Sequence, residues 1–439
     1  MLNKFIDKVR GISFIKDSFW ALFGNISLRG LSLISGIMVA RYLAPEEYGA
    51  FSTLKGFILA MTVFATLGMG YSSTFFIANY IKNNNKYILS TRKFLLKVTF
   101  LFSSSITLIL IVFSDYIAKE YLKDYNLSIS LKIVAISNVF NALSFTETGI
   151  LYGFKKFKGI SLINTKIGIL SFIITILLTY LYSFNGTIIS LLISSIINYY
   201  FICKESIKTS KLFCNEKTSI LITTSIKKEI IKESIPISLQ ELIYTLSAWI
   251  STILVVRYTD YLEVAKYSIA MQWSAIIIFL PSVLRNVFLS YFSSGDSETR
   301  DKLLKYTLLF NFIIVGIPTV IILVFSNKIY YIYGFSYTGL HKVLSITILA
   351  TVFTVSSNVY LQVLITLKKN WLILFIRLTR EILTIGLFLL IFFKNFKLGV
   401  LAMCFASLIT NILFLIVLFF LYQSISKKNI SDDLVKSEM

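Results

Sequence analysis

Charge, proline, cysteine and histidine are all scarce in this chain. Only 15% of its 439 residues are Asp, Glu, Lys or Arg, against roughly 25% in ordinary soluble domains. The three cysteines, Cys203, Cys214 and Cys404, lack metal-ligand spacing, and His341 stands alone, so neither a zinc module nor a histidine-centred active site is expected. No Gly-x-x-x-x-Gly-Lys-[Ser/Thr] loop occurs, which removes the usual cradle for a hydrolysed nucleotide. The alternating strands of about ten residues that build a membrane β-barrel are also missing.

What is present is apolar. Hydrophobic residues make up 56% of the chain and the mean hydropathy is +0.77. Runs of about 20 apolar residues recur, long enough to cross a hydrocarbon layer ~30 Å thick. The fold class expected is an all-α polytopic membrane protein. The net charge of +21 raises the possibility of a nucleic-acid partner, but its distribution argues for none. Lys and Arg gather in alternate connecting segments, the positive-inside pattern. Lys82, Lys86, Arg92 and Lys93 fill the link 81–93, GFKKFKG occupies 153–159, and Lys368 and Lys369 make a turn. The basic N-terminus (Lys4, Lys8, Arg10, Lys16) reads as the flank of a retained helix, since no small-residue cleavage site follows.

The apolar runs fall at about 18–42, 49–80, 94–113, 128–152, 160–182, 186–203, 234–257, 265–290, 306–326, 343–367, 371–393 and 398–422. Runs five and six are expected to turn at Asn185-Gly186. The charge bias then predicts twelve transmembrane helices with both termini cytoplasmic. Residues 1–203 would form one six-helix bundle and 234–422 a second, with a basic cytoplasmic linker at 204–233 and a tail at 423–439.

One stretch appears twice. ISGIMVARYLAPEEYGAFS at 34–52 returns as ISTILVVRYTDYLEVAKYS at 250–268 without a gap. Arg41/Arg257, Tyr42/Tyr258, Glu47/Glu263 and Ser52/Ser268 are identical pairs. A duplicated six-helix unit in one orientation puts a pseudo-two-fold axis along the membrane normal.

Several segments carry a family resemblance: VARYLAPEEYGAFS at 39–52, LGMGYSSTFF at 67–76, LYGFKKFKGIS at 151–161, IPISLQELI at 235–243 and FLPSVLRNVFLSYFS at 279–293. The chain resembles the polysaccharide repeat-unit flippases, the O-antigen and capsule translocases of the multidrug/oligosaccharidyl-lipid/polysaccharide exporter superfamily. Two departures stand out. Pro-Glu-Glu-Tyr-Gly is not kept in the second copy, and Tyr291 stands where a proline is common. The resemblance implies paired six-helix bundles around a central cavity and alternating access in the bacterial inner membrane. It also implies a substrate made of an oligosaccharide on undecaprenyl diphosphate. Membrane lipids are expected partners, with a polysaccharide polymerase and a chain-length regulator as further ones, and the chain is expected to act as a monomer. Rival readings are a multidrug and toxin antiporter of the same superfamily, a lipid II flippase and a polysaccharide polymerase.

Charges inside the runs point to the site, because a charge near mid-bilayer costs at least ~2.5–3.5 kcal/mol and needs a partner, water or a function. Arg29 lies deepest, and either lines a cavity for a diphosphate or acidic sugar or joins an ion pair between helices. Lys55 and Lys166 either line the cavity or snorkel. Arg285, near the inner end of its run, either holds a phosphate or anchors at headgroups. Arg377 and Glu381 stand at (i, i+4) and can pair, leaving Arg380 free for substrate. Glu241 and Glu147 are candidates for coupling to H⁺ or Na⁺, or partners for Arg29 or Lys166; the membrane potential is a third possible drive, and no cofactor is expected. Arg41 and Arg257, which either satisfy their own helix C-termini or pair with Glu47 and Glu263, are expected to brace an outer gate. Lys132 and Lys266 should lie at the interface.

Overall fold

The structure, a computed structural model, describes residues 20–437 apart from 21–22, 25, 84, 214–219, 295–296, 335 and 367–369. Among the described residues there are helices and short connections and no strand. The helices are α1 (26–42), α2 (Pro45–Thr66), α3 (Met69–Asn83), α4 (Ile88–Val112), α5 (Ser114–Glu120), α6 (Leu127–Gly153), α7 (Phe157–Phe213), α8 (Thr224–Tyr258), α9 (Tyr261–Ser294), α10 (Ser297–Tyr333), α11 (Leu340–Thr366), α12 (Asn370–Lys394) and α13 (Leu401–Ser437). Seven of the described helices are long and apolar enough to cross a membrane. The chain is a multi-span helical membrane protein.

Two breaks divide the long apolar runs. Leu67 and Gly68 take left-handed backbone angles (φ 46° and 70°), which ends α2 and starts α3. In α7 the helix is interrupted at Tyr182 and Ser183, not at the Asn185-Gly186 pair expected to turn. Gly186 instead allows close approach: a Cβ there would lie 1.9 Å from the Leu178 carbonyl oxygen.

The chain divides into two compact units, Met1–Ile253 and Leu254–Met439. In the first, α6 is central and touches α2, α3, α4, α5 and α7. In the second, α11 is central and touches α9, α10, α12 and α13. The tyrosines of the repeated stretch have comparable surroundings. Tyr42, at the end of α1, stacks edge-on against Tyr180 of α7 at 5.9 Å. Tyr258, at the end of α8, sits among Phe388, Phe392 and Phe393 of α12. Each repeated tyrosine thus meets the fifth apolar run of its own half.

Hydroxyls knit the first unit together. Thr74 donates to the Gly149 carbonyl at 2.9 Å, Thr107 to the Ala135 carbonyl at 2.9 Å, and Thr62 to Asn138 at 3.1 Å. Such bonds matter in lipid because helix association has little hydrophobic drive there. Small residues do the rest. A Cβ on Gly149 would fall 1.9 Å from the Gly70 carbonyl oxygen, and one on Gly153 would fall 2.8 Å from Ile77 Cβ. Gly149 and Gly153 form a G-x-x-x-G face on α6 that lets α3 approach to backbone contact.

Half of the expected linker is packed. Ile222 and Ile230 are buried against Met69, Phe76 and Leu95. Ser90 donates to the Ile220 carbonyl at 2.7 Å, and the Ile220 amide donates to the Lys86 carbonyl at 3.0 Å. Ser234 bonds Ser72 at 2.6 Å.

Between α4 and α6, Asp115 of α5 accepts from Ser128, and from Lys132 at 3.2 Å. The Ser128 hydroxyl first, and then Lys132, hold the Asp115 carboxyl below the usual carboxylate range. A carboxyl lowered in the native state stabilises above its unfolded value, and that contribution is lost as pH falls through the native value. Ser128→Ala should therefore lower the thermal midpoint at pH 7, with the gap to the parent closing below about pH 4. Melting curves at pH 7 and pH 3 check this; a gap equal at both would refute it.

Candidate functional site

Lys55 and Lys166 lie well inside helices of the first unit, and Arg29 lies one turn into the described part of α1. A helix rises about 1.5 Å per residue, so Arg29 stands ~20 Å from the Tyr42 end of α1, Lys55 ~15 Å from Pro45 on α2, and Lys166 ~14 Å from Phe157 on α7. Lys55 and Lys166 are thus placed for the middle of a layer ~30 Å thick. α1 lies alongside α7 because Gly24 and Gly168 permit it. A Cβ on Gly24 would be 2.5 Å from Ser161 Cα, and one on Gly168 would be 3.5 Å from Leu28 Cα. That register places Arg29 and Lys166 within about one helical turn in height. Both side chains are exposed on the protein surface, and Lys55 is half-buried.

Lys55 reaches over the Phe51 ring at 5.8 Å, a cation–π contact worth roughly 0.5–2 kcal/mol. Among the described residues neither Lys55 nor Lys166 has a carboxylate in ion-pair range. Nearby, Trp249 packs on Phe57 at 5.1 Å, with its indole N–H buried and unbonded.

Glu147 does not pair with Arg29 or Lys166. It is wholly buried and bound by Arg92. Arg92 Nε donates to Oε2 at 3.1 Å, Nη2 donates to Oε1, and Ser206 Oγ donates to Oε2 at 2.5 Å. The fork geometry makes this a bidentate, charge-assisted contact. Arg92, expected in a basic loop, instead lies in α4 and faces the interior. The reason is the uncompensated carboxylate, which cannot stay buried alone.

In the second unit Arg380 is not left free. Its Nε and Nη2 both donate to Glu381 Oε1, the first at 3.1 Å, and its guanidinium lies 5.0 Å over the Phe414 ring. Adjacent helix positions normally diverge, but the long Arg380 stem folds back to its neighbour. Arg377 is half-buried on the same helix.

The two repeated glutamates occupy equivalent places, three residues after the helix cap, and do different work. Glu47 accepts from the Ala44 amide at 3.2 Å, closing the start of α2. Glu263 has its helix capped by Asp260, which accepts from the Glu263 amide at 2.8 Å. Its carboxylate is released to bind Lys266 at 2.6 Å and the Val400 amide at 3.1 Å. Lys266, expected at the interface, is consequently buried. Gly399 allows this: a Cβ there would meet Glu263 Oε2 at 2.9 Å. Arg41 and Arg257 are exposed at the ends of their helices. The side chains of Glu241 and Arg285 lie outside the described residues. The described residues contain no cluster of His, Cys, Asp and Glu able to hold a metal.

Comparison with known proteins gives two findings. A family model described as "Polysaccharide biosynthesis protein" matches residues 14–294. Among solved structures, the chain is similar to an inward-facing multidrug resistance MATE family transporter of the MOP superfamily. The TM-score is 0.80 at 16% identity, over 94% of this chain and 98% of that one. It is also similar to a MOP superfamily transporter from Pyrococcus furiosus, described as having a binding pocket of reverse polarity that suggests a different function. There the TM-score is 0.69 at 17% identity, over 94% and 95%. A MATE structure in the bent conformation gives 0.67 at 15% identity, over 97% and 96%. No curated protein matches. The helical arrangement is therefore that of these transporters.

Proposed function

Because the chain belongs to the polysaccharide biosynthesis protein family, we propose that it is a flippase for oligosaccharide repeat units linked to undecaprenyl diphosphate. It would move them from the cytoplasmic to the outer leaflet of a bacterial inner membrane by alternating access, with twelve spans and both termini in the cytoplasm. O-antigen, capsule or another surface polysaccharide would be the product, and a polymerase and chain-length regulator the partners downstream.

The observation that carries this reading is the pair Lys55 and Lys166, mid-helix cations without a carboxylate partner among the described residues. An uncompensated cation at that depth is stabilised by an anion that comes and goes. A lipid diphosphate is such an anion: it cannot cross hydrocarbon bare, and a cationic path removes that barrier while the tail stays in lipid. An inside-negative potential favours its outward movement by ~2.3 kcal/mol per charge per 100 mV. Arg29, level with Lys166, supplies a third positive charge.

The MATE likeness favours a second reading, a multidrug antiporter. For an organic cation the first unit would need a buried acid facing its ligand. Glu147, the wholly buried acid among the described residues there, is already neutralised by Arg92.

The test replaces Lys55, Lys166 and Arg29 singly with Ala. One charge-assisted contact is worth about 1.5–3 kcal/mol, so each variant should reduce flipping of a lipid-linked sugar in proteoliposomes by ~10–100-fold. Surface polysaccharide should fall with it, and membrane abundance should be unchanged. Normal flipping in all three variants would overturn the reading. Drug resistance lost in place of polysaccharide would favour the antiporter.

A further inference from the structure

The second unit carries a groove of about 800 Å³ between α10, α11 and α13. Its walls include Leu308, Leu309 and Phe312 from α10, Tyr360 from α11, and Phe419 and Phe420 from α13. The volume is within the ~300–1,000 Å³ of ordinary ligand pockets. Its lining makes little polar demand: the Ser356 hydroxyl is already donated to the Val352 carbonyl at 3.0 Å, and the Tyr360 phenol is the other polar group in the wall. A hydrocarbon guest fits this lining, and a sugar or a drug with hydrogen-bonding groups does not.

The groove has a polar end. Leu308, Leu309 and Phe312 follow Lys305 at i+3, i+4 and i+7, so all four share one helix face. Lys305 is exposed and has no carboxylate in ion-pair range among the described residues. It stands where the apolar stretch of α10 begins, Leu304–Tyr333. Leu304 shares a core cluster with Leu418 and Tyr422 near the end of the α13 apolar stretch, so the two apolar stretches finish near one level there. Gln423, beyond Phe419 and Phe420 on the same stripe of α13, is exposed at that level. An apolar groove thus ends in a cation where the apolar stretches of α10 and α13 end.

We propose that this groove seats one hydrocarbon chain of an anionic phospholipid, with Lys305 holding its phosphate. Lysine is suited to this, because its stem lies along apolar surface while its ammonium reaches the interface. The site is independent of the transported substrate and of whether the chain is a flippase.

The full-length protein, reconstituted in nanodiscs of mixed phosphatidylglycerol and phosphatidylcholine, is released into native mass spectrometry and its retained lipids are counted. Phosphatidylglycerol should be retained over phosphatidylcholine by about fivefold, the worth of one lysine at an anionic surface. Lys305→Ala should erase that preference, and Lys328→Ala, far along the same helix, should leave it intact. Ser356→Trp fills the groove and should lower retention of both lipids. A parent protein without preference, or a Lys305→Ala variant that keeps it, overturns the proposal. Selective retention of a polyprenyl phosphate added to the nanodiscs, with phosphatidylglycerol displaced, also overturns it by naming another occupant.

Discussion

Arg92→Ala should lower the stability of the folded protein by about 3–5 kcal/mol, the cost of leaving a buried charge uncompensated. The Glu147 side chain is fully buried and that of Arg92 is 13% exposed, so solvent screens the pair very little. Without Arg92, the carboxylate keeps the Ser206 hydroxyl and, as a weaker donor, the Cys203 thiol. It must then be protonated, or α4, α6 and α7 must open to admit water. The pair itself contributes far less than its loss would cost. Arg92→Met combined with Glu147→Leu should come within ~1–2 kcal/mol of the parent, since buried pairs replaced by apolar residues of like volume are often near neutral. Denaturant unfolding in detergent measures all of these. If Arg92→Ala costs under about 1 kcal/mol, the buried clasp is not holding α4 to α6.

Gly149→Val should be nearly as damaging. Overpacking a core usually costs ~1–3 kcal/mol because side chains can shift. Here the obstacle is main chain: the new Cβ would lie 1.9 Å from the Gly70 carbonyl oxygen and 2.2 Å from Ser73 Oγ. α3 would have to move away from α6, and the Thr74 bond to the Gly149 carbonyl would be lost, adding about 1 kcal/mol. We expect loss of at least ~3 kcal/mol, seen as a fall in thermal midpoint and in yield from membranes. Gly386→Ala on α12 is the control, with nothing within 4 Å of the added Cβ; it should be neutral or slightly stabilising. A Gly149→Val protein as stable as the control would show that α3 and α6 do not touch here.

The parts of the architecture that were legible in sequence are those written along one dimension. Apolar runs mark helices because hydrogen-bonded helices are what a chain can form in lipid. The repeated Arg-Tyr stretch is written in the letters, and its two tyrosines, Tyr42 and Tyr258, each pack on aromatic residues of another helix. The pairings were less legible. Arg92 is far from Glu147 in sequence and looked like one more basic loop residue, since charge counting has no view of which side a residue faces. Helical spacing directs Arg380 away from Glu381, and its flexible stem overrides that. Glu263 binds the Val400 backbone amide, a partner with no side-chain signature. The Gly149-x-x-x-Gly153 face, in contrast, was plain in the letters; it lies in a run already read as a span, where glycine is common.

The docking of residues 220–234 on α3 and α4 bears on how the protein is made. The chain emerges from the ribosome in order, and N-terminal domains ordinarily fold first. Here the first six apolar runs leave the translocon with the face of Met69, Phe76 and Leu95 uncovered. Ile222 and Ile230, which cover it, arrive only after the whole of α7 has been synthesised. The first unit therefore finishes its own core with residues that lie beyond α7 in the chain. The gene cannot be split at the end of α7 into two separately maturing halves without exposing that surface.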